Sequence, residues 1–378
     1  MKAVIIKERG KPALAEIKEP AMRPGYVKVK TAAVAINPTS AGPIGHILGK
    51  WLPLLQLTRI MHSFWAFLGC DLAGTVEEVG SEFSNDDAQS NIEDGAYAEY
   101  AMVRDGHLAK IPENMSFEEA ATFGVGITTV AQSLYMTFKL PLPATPAEKP
   151  FPILIYGGST ATGTIAIQYA KLSGLTVLTT CSPKNFDLVK SRGADAVFDY
   201  RDPSCGEQIR KFTNSSLHYI LDTISTPDSF KICAEAFPPK DSTAEKLNYI
   251  GLLPIDAFSR KDEPNMNAQA VLAYTTFGEP FEKFGKSFPA MKEVFEYGKM
   301  FWRVNGELVE RGKVLPHPAE VREGGLGGVP TGILDIASGK VSGVKLVYRV
   351  KDTPAVVEDG QKLDGDTVVK APVLEKWT

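Results

Sequence analysis

The chain has 378 residues, enough for two domains at roughly 100–200 residues each. It is 44% hydrophobic and 23% charged, ordinary proportions for a globular protein with a sizeable core, and 41 basic residues against 45 acidic ones leave a net charge of −4. That balance supplies no basic sheath and argues against nucleic acid as a partner, so anionic ligands must be met by local sites. Cys70, Cys181, Cys205 and Cys233 are widely separated and form no C-x-x-C pair. This argues against a disulfide framework or a thiolate zinc knuckle and favours a reducing, cytoplasmic setting. The first apolar run meets charge directly after Ile6, unlike a secretory signal. The apolar stretch Ile44 to Leu68 is interrupted by Lys50, Pro53, Arg59 and His62, so no membrane span is expected.

From Met1 to about Phe123, short β-rich runs dominate: KAVIIKE, YVKVKTAAVAI, AGTVEEVG, AYAEYAMV and GHLAKIP. Gly10, Pro24-Gly25 and Asn37-Pro38 punctuate them, which predicts a compact, mostly antiparallel barrel. Ser81 to Gly95 is polar and reads as an exposed loop. From about Phe151 the rhythm changes to strand–helix alternation. ILIYG leads into an amphipathic run from Thr164 to Leu172, and LTVLTT into a helix around Asn185–Arg192. AVFDY, a helical run near Gln208–Phe212, HYILDT, LNYIGLL and AYTTFG follow, the pattern of a doubly wound parallel sheet. Beyond about Pro289 come a helix over Met291–Arg303, then PHPAEV and KLVYRV, the last strand returning to the first domain. The boundaries so drawn are 1–123 with 290–378 for the barrel, and 124–289 for the part with the parallel sheet.

The strongest chemical signal is Gly157-Gly158-Ser159-Thr160-Ala161-Thr162-Gly163, a Gly-rich turn between a buried strand and a helix. Backbone N–H groups at such a helix start hold a pyrophosphate, and small residues let it approach. Gly-rich turns also serve packing alone, so the strand–turn–helix context carries the assignment. The next strand ends in Ser182-Pro183-Lys184-Asn185 without the Asp or Glu that usually meets the ribose of NADH. A lysine and a hydroxyl there suit the 2′-phosphate of NADPH, with Tyr200 beside the adenine. The alternative is a solvated Lys184 and a packing Tyr200.

The segments AINP, FLGCDLAGTVEEVG, GAYAEY and YGGSTATGTIAIQYAK, with the returning C-terminal strand, resemble the medium-chain dehydrogenase/reductase superfamily. YGGSTATGT, CSPKNFDLVKSRGADAVFDY and VSGVKLV resemble its trans-acting enoyl reductases, which partner fungal polyketide synthases of the lovastatin type. The resemblance implies an α/β protein with a GroES-like β-rich barrel and a Rossmann doubly wound sheet. It implies that Asn37, Pro38, Thr39 and Ser40 line the nicotinamide side. Ser159, Thr160, Ala161, Thr162, Ser182, Pro183, Lys184, Asn185 and Tyr200 would hold NADPH, and Leu252, Leu253, Val341 and Ser342 would close over it. Gly124, Val125, Gly126, Ile127, Thr128 and Thr129 would face substrate, as would Thr275, Thr276, Phe277, Gly278 and Glu279. Thr129 falls where a hydroxyl polarises the reacting carbonyl.

Zinc alcohol dehydrogenases of the superfamily use an early Cys and a Gly-His-Glu segment. Here Gly69-Cys70-Asp71 stands in that place with no cysteine before it, short of the three protein ligands catalytic zinc needs, so no metal is expected. Cys70 is expected as a small buried residue. The implied activity is zinc-independent, NADPH-dependent reduction of an enoyl group carried on a polyketide synthase acyl carrier, in secondary metabolism. A free-standing reductase of small hydrophobic enones or quinones, or a non-redox isomerase, cyclase or binding protein, are the alternatives. The last is motivated by the absence of a lysine soon after INP and of Gly-Asp-Arg-Val before GAYAEY. Gly45 to Phe67, rich in Trp, Leu and Phe, reads either as a wall for a long acyl chain or as a core-packing insertion. AYTTFG is expected as the sheet edge, with Pro280 and the charges between Glu279 and Lys286 discouraging pairing, so a monomer is expected.

Overall fold

The computed structural model describes residues 1–8, 11–38, 68–81, 95–283 and 286–356. The loop over 82–94, the apolar insertion up to Phe67, Thr39, Ser40 and the tail from 357 lie outside the described residues. In chain order the elements begin with β1 (Lys2–Glu8), β2 (Lys11–Glu16), β3 (Tyr26–Ala35), β4 (Asp71–Val79) and β5 (Tyr100–Arg104). Next come α1 (Phe117–Ala120) and α2 (Gly124–Val130), which runs into a π-helical stretch, Ala131–Thr137. The alternating part holds β6 (Pro152–Tyr156), α3 (Ala161–Leu172), β7 (Thr176–Cys181), α4 (Phe186–Ser191), β8 (Ala196–Asp199) and α5 (Cys205–Phe212). It continues with β9 (Tyr219–Asp222), α6 (Pro227–Ala236), β10 (Leu247–Gly251) and β11 (Met266–Ala270). The remainder is β12 (Phe281–Lys283), β13 (Lys286–Phe288), α7 (Lys292–Glu310), β14 (Ala319–Arg322), α8 (Gly325–Ala337) and β15 (Lys345–Arg349).

The chain divides into two compact units: Met1–Gly124 with Thr275–Gly306 and the residues from Pro318 onward, and Val125–Tyr274 with Glu307–His317. The stretch 275–289, drawn into the nucleotide-binding part on sequence, clusters with the first unit.

In the first unit β3 is the organising strand. It pairs antiparallel with β4, β5 and β15, and β14 runs parallel to β15. The Val27–Lys28–Val29–Lys30 alternation sends the valines inward, as the two-residue period of a strand requires. KLVYRV does return to this sheet, with Val347 opposite Ala35. Its core joins Val4, Ile6, Val34, Ile36, Leu346 and Tyr348 to Leu326, Val329 and Ile333 of α8. That helix is rich in glycine because it lies directly on Tyr348: a Cβ at Gly328 or Gly332 would come within 2.6 or 2.4 Å of the tyrosine.

The second unit is a six-stranded parallel sheet in the order β11-β10-β9-β6-β7-β8. Ile153, Leu154, Ile155, Val177, Leu178, Ile220, Leu221, Tyr249 and Ile250 are fully buried, the near-continuous apolar strands that helices on both faces demand. The strand order reverses between β6 and β9, the crevice where doubly wound sheets bind ligands.

Two expected strands are absent. GHLAKIP turns at Gly106, whose φ of 82° suits a glycine, and then runs irregularly. AYTTFG is a 3-10 turn over Ala273–Phe277, and the edge strand is Met266–Ala270. The argument for a monomer that took AYTTFG as the sheet edge therefore falls.

Candidate functional site

The second unit gathers most of the expected cofactor residues along one edge of its sheet, where the parallel strands end. Strand β6 finishes at Tyr156 and the chain reverses through Gly157, at φ 78°. The three glycines answer separate steric demands. A Cβ on Gly157 would come within 2.5 Å of Thr223 Oγ1, one on Gly158 within 1.9 Å of Thr179 Oγ1, and one on Gly163 within 2.4 Å of the Gly157 carbonyl. Thr160 caps α3 by accepting the Gly163 N–H at 2.9 Å, and its hydroxyl meets Thr223 Oγ1 at 3.1 Å. Between buried Gly158 and buried Gly163, the four residues Ser159 to Thr162 are half-exposed. The first turn of this 12-residue helix carries no acid, so its N–H groups present an uncompensated positive end. A pyrophosphate fits such a cradle.

Strand β7 ends at buried Cys181, whose thiol burial pushes up to about 12, with the neighbouring Asp199 adding to the effect. Ser182 and the turn Pro183–Asn185 follow. Asn185 is buried and its amide reaches Ser182 Oγ at 3.4 Å, whereas Pro183 and Lys184 are exposed. Tyr200, one residue past β8, is 43% exposed. Leu252 and Leu253, after β10, are half-buried.

The connection after β9 was not singled out on sequence, yet it braces this edge. Asp222 is completely buried, and burial pushes its carboxyl up against four hydrogen bonds that favour the charged form. It accepts the Ile224 and Ser225 N–H groups at 2.9 Å, Ser229 Oγ at 2.5 Å and Tyr249 OH at 2.8 Å. Ser225, at φ 56°, then receives the Leu252 N–H at 2.8 Å, and Thr223 donates to the Tyr156 carbonyl at 2.8 Å. One buried carboxylate thus sets the turn from which Thr223 holds the end of β6 and Ser225 holds the Leu252 backbone. The signal was Asp-Thr-Ile-Ser directly after an apolar strand, a hydroxyl-rich turn of the Asx type.

Thr128 and Thr129 lie buried on α2 with Gly126 and Ile127, while Gly124 and Val125 are half-exposed. Gly126 packs close to Ile165, where a Cβ would come within 2.6 Å. The helix widens to π geometry over Ala131–Thr137, carrying buried Gln132 and Ser133 onward from Thr129. Such widening recurs at functional sites.

In the first unit Asn37 is buried and donates to Asp71 Oδ2 at 2.7 Å, while Pro38 is exposed. The same oxygen accepts Lys345 Nζ in a short contact, and Lys345 also reaches the Thr122 carbonyl at 3.4 Å. Asp71 is therefore committed to a buried ammonium. Cys70 stands exposed, contrary to expectation, in the bend between Gly69, at φ 99°, and the start of β4. Among the described residues no group of three His, Cys, Asp or Glu is placed to hold a metal ion. Thr275 and Thr276 are buried, Phe277 is 38% exposed, and Gly278 turns at φ 71°. The Glu279 carboxylate accepts the Tyr26 hydroxyl and lies 3.9 Å from Arg104, so it anchors this segment to the start of β3 and the end of β5. Val341 is half-buried and Ser342 exposed.

The sequence profile of the zinc-binding dehydrogenase family matches residues 161–244. A trans-enoyl reductase of Alternaria alternata is 40% identical over 362 residues, covering 92% of this chain and 98% of that protein. The enoyl reductase component of the lovastatin nonaketide synthase of Aspergillus terreus is 36% identical over 349 residues, covering 86% and 89%. Among solved structures, the CurK enoyl reductase superposes with a TM-score of 0.66 at 17% identity, over 92% of this chain and 98% of that one, a likeness of fold. No helix among the described residues is long and apolar enough to cross a membrane. With 40% identity to one named enzyme over 92% of its length and 36% to another over 86%, the chain belongs to the trans-enoyl reductases of the medium-chain dehydrogenase/reductase superfamily.

Proposed function

We propose that this enzyme is an NADPH-dependent, zinc-independent enoyl reductase acting in trans on a polyketide intermediate tethered to the acyl carrier of a synthase. The observation that carries the reading is the cradle at the strand ends: Ser159 to Thr162 opening an acid-free helix, beside Ser182 and Lys184 where an NADH site would hold a carboxylate. The bound cofactor supplies the hydride. The chain's own residues position and polarise. Ser159 to Thr162 hold the pyrophosphate, and Ser182 and Lys184 meet the 2′-phosphate. Tyr200 covers the adenine, and Leu252 and Leu253 exclude water from the cofactor.

Hydride addition at the β-carbon of an enoyl thioester places charge on the carbonyl oxygen. Donors aimed at that oxygen lower the barrier, and the Thr129 hydroxyl is the residue assigned to it. Zinc independence is supported by Asp71, whose carboxylate already faces the Lys345 ammonium, a cation that opposes a metal beside it. Asn37, held by the same carboxylate, is assigned to the nicotinamide side.

The test is a spectrophotometric assay of NADPH oxidation with crotonyl and longer enoyl thioesters, on free and carrier-bound acyl groups. Turnover that favours the carrier-bound substrate is expected and is unaffected by a zinc chelator. Tight NADPH binding with no oxidation across the series would overturn the reductase reading.

A further inference from the structure

The turn that follows β8 carries a half-exposed cation, Arg201. Asp199, the last residue of β8, is in register with Cys181, the last of β7, so the two strands end level with each other. Neighbouring strands are about 4.8 Å apart, a separation one phosphate group spans. Ser182 and exposed Lys184 continue from one strand end, Tyr200 and Arg201 from the other.

Arg201 folds back on Asp199. Its Nε donates to Oδ1 at 2.9 Å and to Oδ2 at 3.2 Å, Nη2 donates to Oδ2 at 2.8 Å, and its backbone N–H donates to Oδ1 at 3.1 Å. Two consequences follow. The carboxylate nearest the end of β7 is already occupied, so it does not offer the acceptor that a 2′-hydroxyl of NADH seeks. The guanidinium is also held in one orientation by one edge only. It carries five N–H donors in a planar fork, and the Asp199 contact leaves the Nη1 pair without a hydrogen bond among the described residues. The side chain is 58% exposed, so those donors are open to a ligand. A fork pinned at one edge by a carboxylate and open at the other is suited to bidentate capture of a phosphate.

We propose that Arg201, oriented by Asp199, directly ligates the adenosine 2′-phosphate and so sets the preference for NADPH over NADH. The inference rests on the NADPH reading above and adds a residue to it. Lys184 contributes a point charge from the β7 side, and Arg201 contributes the directional contact from the β8 side.

Equilibrium titration by nicotinamide fluorescence, with NADPH and NADH on the full chain, tests it without turnover. The wild type is expected to bind NADPH more tightly. Arg201→Ala is expected to weaken NADPH about tenfold or more, the range of a charge-assisted hydrogen bond, and not to weaken NADH, whose 2′-hydroxyl gains the freed Asp199 carboxylate as an acceptor. The double variant Asp199→Asn with Arg201→Ala separates direct contact from simple neutralisation. NADPH affinity that stays low supports direct contact, and recovery to wild-type affinity overturns it. An unchanged NADPH-to-NADH ratio in Arg201→Ala also overturns it. If the wild type binds both cofactors equally, the NADPH reading itself fails, an outcome distinct from failure of Arg201 alone. Both side chains are partly exposed, so the variants retain the fold, and a matching circular dichroism spectrum checks this.

Discussion

His107 sits in a pocket of the first unit where a charge is unwelcome. It stacks on Phe295 at 5.6 Å and tilts against Phe277 at 5.3 Å, and only 6% of its surface is exposed. Burial lowers its pKa to about 4. Arg104 and Lys299 push the same way, and Asp105, through its carbonyl and its charge, opposes them. The unfolded chain takes up this proton near pH 6.5, while the folded chain resists it until about pH 4. The associated stability is therefore complete above pH 6.5, falls as the pH drops through that interval, and is gone below about 4. It amounts to about 3 kcal/mol. Urea unfolding at pH 7.5, 5.5 and 4.5 should show the wild type losing stability faster than His107→Phe, which has no proton to gain. Parallel curves for the two proteins would exclude His107 as the cause. On sequence this histidine lay inside an apparent strand, and nothing in GHLAKIP announced that it packs between two phenylalanines far along the chain.

The connection between β9 and α6 shows how a local element is set by one buried group. Asp222 accepts two N–H groups on Oδ1 and two hydroxyls on Oδ2, so Asp222→Ala strips all four of their buried acceptor at once. A loss of about 1–3 kcal/mol is expected, with faster amide exchange at Ile224, Ser225 and Leu252. Exchange left unchanged at those three amides would break the chain from Asp222 to the Leu252 backbone. Elements whose own side chains specify them were legible in the sequence. The Gly-rich turn, the parallel strands and the returning β15 each have an apolar run bounded by turn residues. Elements specified by their neighbours were not. β11 is Met-Asn-Ala-Gln-Ala, polar and without a β-branched residue, and it is a strand because β10 offers it five paired positions. AYTTFG has the better strand composition but makes a 3-10 turn. Its Thr275 and Thr276 are buried, and Gly278 packs on Phe295, where a Cβ would lie 2.9 Å away. Helix α8 contains Pro330 and several glycines, a composition that does not announce a helix, yet those glycines are what let it lie on Tyr348. The candidate site follows the same division: Ser159, Thr160 and Lys184 stand in a recognisable motif, whereas Arg201 and Asp222 are set by the hydrogen bonds that the fold supplies.

The whole chain carries a net charge of −4 at pH 7, small for 378 residues, and its isoelectric point is near 5.9. Electrostatic repulsion between molecules therefore vanishes about one pH unit below neutrality. His107 begins to withdraw stability from the folded state across the same interval, so the population of unfolded chain rises as repulsion between chains disappears. The two effects reinforce each other. Light scattering at a fixed temperature just below the unfolding midpoint, followed from pH 8 to pH 5, should show aggregation rising to a maximum near pH 6. Below the isoelectric point the chain regains charge of the opposite sign, and the rate should fall again even though stability continues to decline. The shape of the profile separates the contributions. If stability alone governed aggregation, the rate would climb monotonically to pH 5. If charge alone governed it, His107→Phe would show the wild-type curve. A maximum near pH 6 that is lowered in His107→Phe is the signature of both acting together, and a flat profile would refute the coupling.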